Sequence, residues 1–191
     1  MPNVILIGGP NGAGKSTIAP DILASMLLHP VFVNADTIAE GIGAPDHRET
    51  AMQAGRIMLR RLEELARQQA DFAFETTLAS RTFAPWLRKL QRGGYFVHLL
   101  FVWLPDAELA LERVARRRAL GGHGVPEPLV RRRFVRGLRN LHGLYLPVAD
   151  TWTVYDNSRS AGPRLVARGG KRQHEHVADE PTWTRIRSHA P

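Results

Sequence analysis

Apolar and polar residues follow one another along this chain in two rhythms, and each rhythm predicts an element. Short apolar runs occur at residues 3–7 (NVILI), 31–36 (VFVNAD), 72–75 (FAFE), 95–104 (YFVHLLFVWL) and 151–158 (TWTVYDNS). Each is brief and most end in turn-forming residues, the mark of a buried strand. The run at 95–104 is the strongest and is expected near the sheet centre. Between the runs the apolar positions recur at helical spacing. Helices are predicted over residues 15–28, over 48–69 on Ala51, Ala54, Met58, Leu62 and Leu65, and over 82–92, where Gly93-Gly94 stops the pattern. Another follows Pro105-Asp106 to about residue 120, with Ala107, Ala110, Leu111 and Val114 along one face. After the breaker GGHGVPEP (121–128), Val130, Phe134, Leu138 and Leu141 form the stripe of a further helix. The segment RLVARGGKR resembles a hairpin around Gly169-Gly170.

Strands alternating with helices predict an α/β fold, a parallel sheet of about five strands joined by right-handed crossovers. Ligands of such sheets sit outside the carboxyl ends of the strands. At 191 residues the chain is expected to be one domain, with its core in 1–158 and a basic C-terminal tail in 159–191. No apolar run reaches the ~18 residues of a membrane span. The chain has no cysteine, which removes disulfides, thiolate metal sites and thiol nucleophiles and fits a reducing cytoplasm. The formal net charge is +8. Such a balance bears on partners rather than fold and suits a nucleotide, a nucleic acid or a membrane surface. The positions of the arginines have to separate these.

The first strand runs into GGPNGAGKST, where Gly9, Gly14, Lys15 and Ser16 satisfy G-x-x-x-x-G-K-[ST] between a strand and a helix. Backbone N–H groups of such a loop turn onto phosphate oxygens, and the following helix adds its positive end. Gly9, Pro10, Asn11, Gly12, Ala13, Gly14, Lys15, Ser16 and Thr17 are therefore the expected ATP cradle. Lys15 would reach the β- and γ-phosphates, and the Ser16 hydroxyl would ligate Mg²⁺. The fold expected is thus that of a P-loop NTPase of the nucleotide-kinase type.

Three further stretches bear on the acceptor. In NAD, Asp36 lies just past the second strand. It is either a base for an attacking hydroxyl or the N-cap of a helix starting near Thr37. In FETTLAS, Glu75, Thr76 and Thr77 reach the same rim and could hold a polar substrate, with Arg81 nearby; equally, Thr77 or Ser80 could cap the next helix. Around GGHGVPE, Arg113, Arg116 and Arg117 share a helical face set opposite the Ala107/Ala110/Val114 stripe, and Arg132, Arg136 and Arg139 form a polar face on the next helix. Two Arg-rich helices on a Gly-rich hinge fit a lid closing over ATP. Arg116, Arg118, Arg131, Arg133 and Arg139 are read as mostly solvated. Few aromatics interleave with these arginines, which argues against nucleic acid. Asn157, in DNS after the fifth strand, is either a border of the adenine site or part of a strand-end turn. The HEH run at 174–176 is read as solvated, not as a metal set.

Taken together, GGPNGAGKST, NAD, FETTL, RVARRRALGGHGVPE and VYDNS resemble the zeta-toxin family of P-loop kinases over about residues 4–158. The resemblance implies a kinase-like core. For the family's characterised toxins it also implies ATP-dependent phosphorylation of a sugar hydroxyl of UDP-N-acetylglucosamine, with a small antitoxin blocking the nucleotide site. Asp36 would then be the general base, Glu75 and Thr76 would orient the sugar, and Arg113 with Arg117 would hold the phosphates. The chain is shorter than the well-studied toxins, and its GGHGVPE lid is of the type found in compact members. The acceptor is therefore open between a nucleotide sugar, another sugar, an antibiotic and a nucleic-acid 5′ end. A nucleic-acid-associated ATPase is the competing class. Any antitoxin would be a separate chain.

Overall fold

The computed structural model describes residues 1–26, 30–42, 47–122 and 124–189. The strands are β1 (Asn3–Gly8), β2 (Val31–Val33), β3 (Phe72–Thr76), β4 (Phe96–Trp103), β5 (Thr151–Asp156), β6 (Arg164–Gly170) and β7 (Gln173–Val177). The helices are α1 (Lys15–Met26), α2 (Ala35–Ile42), α3 (His47–Arg67), α4 (Phe83–Arg92), α5 (Ala107–Ala119), α6 (Glu127–Asn140) and α7 (Glu180–Arg187). The predicted end of the first helix at Leu28, the side chain of Ala51 and His123 of the hinge lie outside the described residues.

One sheet joins all seven strands in the order β2-β3-β1-β4-β5-β6-β7. The first five are parallel and the last two antiparallel. As expected, β4 is the middle strand. The expected count of about five falls short because 159–191 is not a loose tail. Its RLVARGG and QHEHV runs pair as a hairpin onto β5, and Trp183 and Ile186 of α7 are buried in the main core. Trp183 stacks on Trp152 of β5, ring centres 5.3 Å apart, and its indole N–H donates to Glu175 Oε1. Burying an aromatic of this size is worth on the order of 2–3 kcal/mol, ample reason for the segment to fold onto the sheet.

Register carries the functional residues to one rim. Ile7 lies beside Glu75 and Gly8 beside Thr76 in the β1–β3 ladder, so the P-loop and the ETT turn leave the sheet together. On the other flank β4 pairs with β5 through Trp103 and Asp156, setting the 157–158 turn on the opposite side of the P-loop. Buried apolar residues of β1, β3 and β4 meet Met58, Leu62 and Leu65 of α3 and Leu87 and Leu90 of α4 on one face. Ile5, Ile7, Ala73 and Leu100 meet Ala19 and Leu23 of α1 on the other. Strands buried on both faces explain the near-continuous apolar runs.

Candidate active site

The P-loop is shaped by what touches it. Gly12 and Gly14 have φ of +75° and +82°, the left-handed region that favours glycine. A Cβ at Gly12 would lie 2.6 Å from the Ala110 carbonyl oxygen, and one at Gly14 would lie 2.7 Å from the Asn157 amide nitrogen. The Asn157 amide donates to Ala13 O at 2.8 Å, so the 157–158 turn is tied to the loop itself. Asn11 is buried, and its side-chain oxygen has no partner among the described residues.

Lys15 is 5% exposed, its ammonium donating to Pro10 O at 2.9 Å and lying 3.4 Å from Glu75 Oε1. Burial pulls its pKa below the ordinary lysine value, while the charges of Glu75 and Asp36 oppose that shift. The other Glu75 oxygen accepts from Ser16 Oγ at 2.6 Å and from the Asn34 amide at 3.1 Å. Glu75, expected to orient an acceptor, is thus held against the P-loop lysine and serine. Ser16 Oγ and Glu75 Oε2 form a pair of hard oxygen donors at the head of α1. That set fits Mg²⁺, which keeps waters and phosphate oxygens rather than taking an all-protein cage. Among the described residues no three carboxylates or histidines cluster as such a cage.

Asn34, not Asp36, caps α2: its Oδ1 accepts the Asp36 N–H at 2.8 Å, and its carbonyl accepts the Ile38 N–H. Strand β2 ends at Val33, earlier than the apolar pattern implied, and Asp36 stands in the first helical turn with its side chain free of capping work. Its carboxylate lies 3.7 Å from Arg117, a loose and half-exposed pair.

The ETT turn is strained and clamped. Leu78 is fully buried with φ of +57°, uncommon for a branched residue. Thr76 Oγ1 accepts the Leu78 N–H, Asn140 of α6 donates to Leu78 O at 2.8 Å, and Tyr145 donates to Ser80 O. Tyr145 lies in the wider π-helical turn Leu141–Tyr145 that follows α6. Gly137 lets α6 approach the Thr77 carbonyl so closely that an added Cβ would fall 2.5 Å from its oxygen. Such strain at a turn is retained where neighbours over-determine it.

These residues line one cavity of roughly 640 Å³ at the carboxyl ends of the strands, well within the size of ligand sites. Asn11, Gly12, Gly14 to Thr17, Asp36, Glu75, Thr76, Thr77, Arg113 and Arg117 all contribute. Arg81 is exposed and does not join them. Arg113 contributes its stem, while its guanidinium donates to Asn157 O at 2.7 Å and Ser158 O at 3.1 Å. Its Cβ and the Ala110 carbonyl both face Gly12, so Arg113 flanks the Ala110 stripe rather than opposing it, as i and i+3 must.

One residue departs from the expected solvated set. Arg133 is only partly exposed and lines the cavity, its pKa lowered by burial and raised by the nearby Asp36 charge. The signal was in the spacing: Val130 and Gly137, three before and four after, both face the core, so Arg133 lies on the inner side of α6. The far wall is apolar, with Met52 55% and Leu59 44% exposed beside Met58 and Phe83. Met52 and Leu59 were not singled out in the sequence because they lie off the Met58 and Leu62 stripe of an amphipathic helix.

The family model for zeta toxin matches residues 1–161. The chain belongs to the zeta toxin family. An uncharacterised Haemophilus influenzae protein is 27% identical over 126 residues, covering 66% of this chain and 88% of that protein. Among solved structures, a chain of the AvrRxo1-ORF1:-ORF2 complex with ATP superposes with a TM-score of 0.79 at 19% identity, over 97% of this chain. The present chain spans only 63% of that one. A chain from the PezAT chromosomal toxin-antitoxin system of Streptococcus pneumoniae gives 0.67 at 20% identity, over 98% of this chain and 78% of that one. These likenesses show a shared P-loop kinase-like fold. Among the described residues no helix is long and apolar enough to cross a membrane.

Proposed function

We propose that this zeta toxin family member is a Mg²⁺- and ATP-dependent phosphotransferase. It would move the γ-phosphate onto a hydroxyl of a small molecule, with a nucleotide sugar such as UDP-N-acetylglucosamine as the favoured acceptor. One observation carries the reading: Lys15 and Ser16 of the P-loop, Asp36, Glu75, Arg113 and Arg117 of α5 and Arg133 of α6 line a single cavity. A nucleotide-only binding loop needs no second carboxylate beyond the phosphate end.

In this reading ATP lies along the P-loop, with Lys15 on the β- and γ-phosphate oxygens. Ser16 and Glu75 would hold Mg²⁺, whose charge offsets that of the phosphate oxygens. The acceptor hydroxyl approaches between Asp36 and the ETT turn. Its oxygen bonds to the γ-phosphorus as the bond to the β–γ bridging oxygen breaks; ADP departs and the hydroxyl proton passes to Asp36. Arg117 and Arg133, both beside Asp36, stabilise the charge spread over the transferring phosphoryl group. Arg113 acts one step back, holding the 157–158 turn and the wall of the P-loop. Its likeness to a chain of a toxin-antitoxin system supports a place as the toxin of such a pair, blocked by a separate antitoxin.

The test is product analysis by mass spectrometry after incubation with Mg²⁺-ATP and a panel of hydroxyl acceptors, UDP-N-acetylglucosamine among them. Asp36→Asn should lose about 10²- to 10⁴-fold in kcat while binding ATP as before. Normal turnover by that variant would make Asp36 structural. Acceptor-independent hydrolysis stimulated by DNA or RNA, and suppressed by salt, would replace the kinase with a nucleic-acid ATPase.

A further inference from the structure

We propose that the hairpin β6–β7 and helix α7, which lie beyond the residues matched by the family model, brace the nucleotide site, and that Arg164 is the positioning residue of that brace. The inference rests on the P-loop reading above and concerns how the loop keeps its shape.

The brace begins at Asp156, the last residue of β5, which is 5% exposed. One of its oxygens accepts the Ser158 N–H at 2.8 Å. The other faces Arg164 at 3.3 Å, and the same guanidinium nitrogen lies 2.7 Å from Asp179. Asp179 in turn caps α7, accepting from the Thr182 N–H at 3.1 Å and its hydroxyl at 2.9 Å. One cation thus joins two largely buried carboxylates, one at a strand exit and one at a helix start.

Exposed ion pairs contribute little, and Arg164 is itself 48% exposed. The asymmetry lies in its partners. Without Arg164, Asp156 loses the cation that separates it from Asp179, whose remaining nearby positive charge is Arg159, and a buried carboxylate left so is driven to turn away or to draw in water. Either response loosens the Ser158 N–H contact. That contact sets the turn whose two carbonyls accept from Arg113 and whose Asn157 amide holds Ala13 O of the P-loop. A second strut reaches the neighbouring strand exit, where Arg185 of α7 donates to Pro105 O at 2.7 Å and lies 5.6 Å above the Trp103 ring. Trp103 O also accepts the Asn157 N–H. The C-terminal segment therefore grips both strand exits that hold the 157–158 turn, without touching the cavity itself.

The experiment measures ATP affinity by calorimetry on the full chain, for wild type, Arg164→Ala, Asn157→Ala and the double variant, below their unfolding temperatures. Arg164→Ala is expected to weaken ATP binding about five- to tenfold and to add clearly less once Asn157 is alanine, because part of its effect passes through the Asn157 amide on Ala13. Arg187→Ala, which loosens a 3.9 Å pair on the same helix, should leave affinity unchanged. If Arg164→Ala does not fold, Arg164→Gln, which keeps a donor for one carboxylate, carries the same comparison. Wild-type affinity in an Arg164 variant, or losses that multiply independently in the double variant, would overturn the brace alone. A wild-type chain that does not bind ATP would overturn the nucleotide reading and the brace with it.

Discussion

Ser16 and Glu75 stand 59 residues apart in the chain, yet the serine hydroxyl donates to the carboxylate at 2.6 Å. The contact follows from parallel pairing of β1 with β3, which delivers the start of α1 and the end of β3 to one point on the rim. It holds Glu75 against the P-loop, where the proposed phosphate would lie. Glu75→Gln keeps the shape of the side chain and removes its charge. Lys15 then loses its nearest counterion. Activity with Mg²⁺ should fall about 10- to 100-fold, with a higher Mg²⁺ requirement and a lower melting temperature. A steady-state Mg²⁺ titration alongside thermal unfolding checks both. An unchanged Mg²⁺ requirement would move Glu75 back to the acceptor side.

Arg133 separates the cavity reading from a simple count of surface arginines. Arg133→Gln should reduce kcat by about 10²- to 10³-fold if the guanidinium meets charge that develops in the transition state. ATP affinity should change far less. Arg139→Ala, on the exposed part of the same helix, should leave both constants as in wild type. Equal loss in the two variants would mean that only net charge is being read.

The contrast between these arginines shows what a linear reading can carry. The P-loop, the five parallel strands and the rim holding Asp36, Glu75 and Thr76 were legible, because each rests on local pattern: an apolar run, a glycine turn, a residue just beyond a strand. Glu75 was placed on the right rim, but its contacts with Lys15 and Ser16 were not legible, since which oxygen meets which donor depends on register between β1 and β3. Arg133 was missed because charge dominated the reading of a segment where Val130, Phe134 and Gly137 define the inner face. The C-terminal hairpin was visible, though its turn falls at Lys171-Arg172, with Gly169 and Gly170 ending β6; its attachment depends on Trp152 meeting Trp183, a pairing across 31 residues that no local pattern encodes.

Two partly buried histidines, His98 and His142, predict a pH dependence of stability. Burial holds His98 below the ordinary histidine value, with Asp150 opposing; burial likewise lowers His142, with the Ile186 carbonyl opposing and Arg187 adding to the shift. His142 Nε2 lies 3.1 Å from Ile186 O, and His98 bridges Thr151 and Asn3. In the unfolded chain both rings take up protons near pH 6.5; in the folded chain they do so at lower pH. Between those values the unfolded state binds more protons, so stability rises with pH across that window. It is fully present above about 6.5 and is lost as pH falls through the folded values. Melting temperature should therefore drop between about pH 7.5 and 5.5, and His142→Gln should flatten part of that slope. A slope identical in wild type and variant would exclude His142 as its source.

Gly55 gives the last prediction, because neither packing nor backbone geometry requires glycine there. It lies within α3, where glycine is unfavourable by roughly 0.5–1 kcal/mol relative to alanine, and an added Cβ would meet nothing within 4 Å. It also lines the cavity, between exposed Met52 and Leu59 and next to Arg56. The free space above its backbone is room that the proposed acceptor would use. Gly55→Ala should raise stability by up to about 1 kcal/mol and change turnover little, since a methyl fits. Gly55→Leu should fill the space, raising the acceptor KM by about tenfold or more while ATP affinity stays as in wild type. Measuring both constants decides the matter: a leucine variant with an unaltered acceptor KM places the acceptor on the other wall, and one with weakened ATP binding means that the nucleotide itself extends across α3.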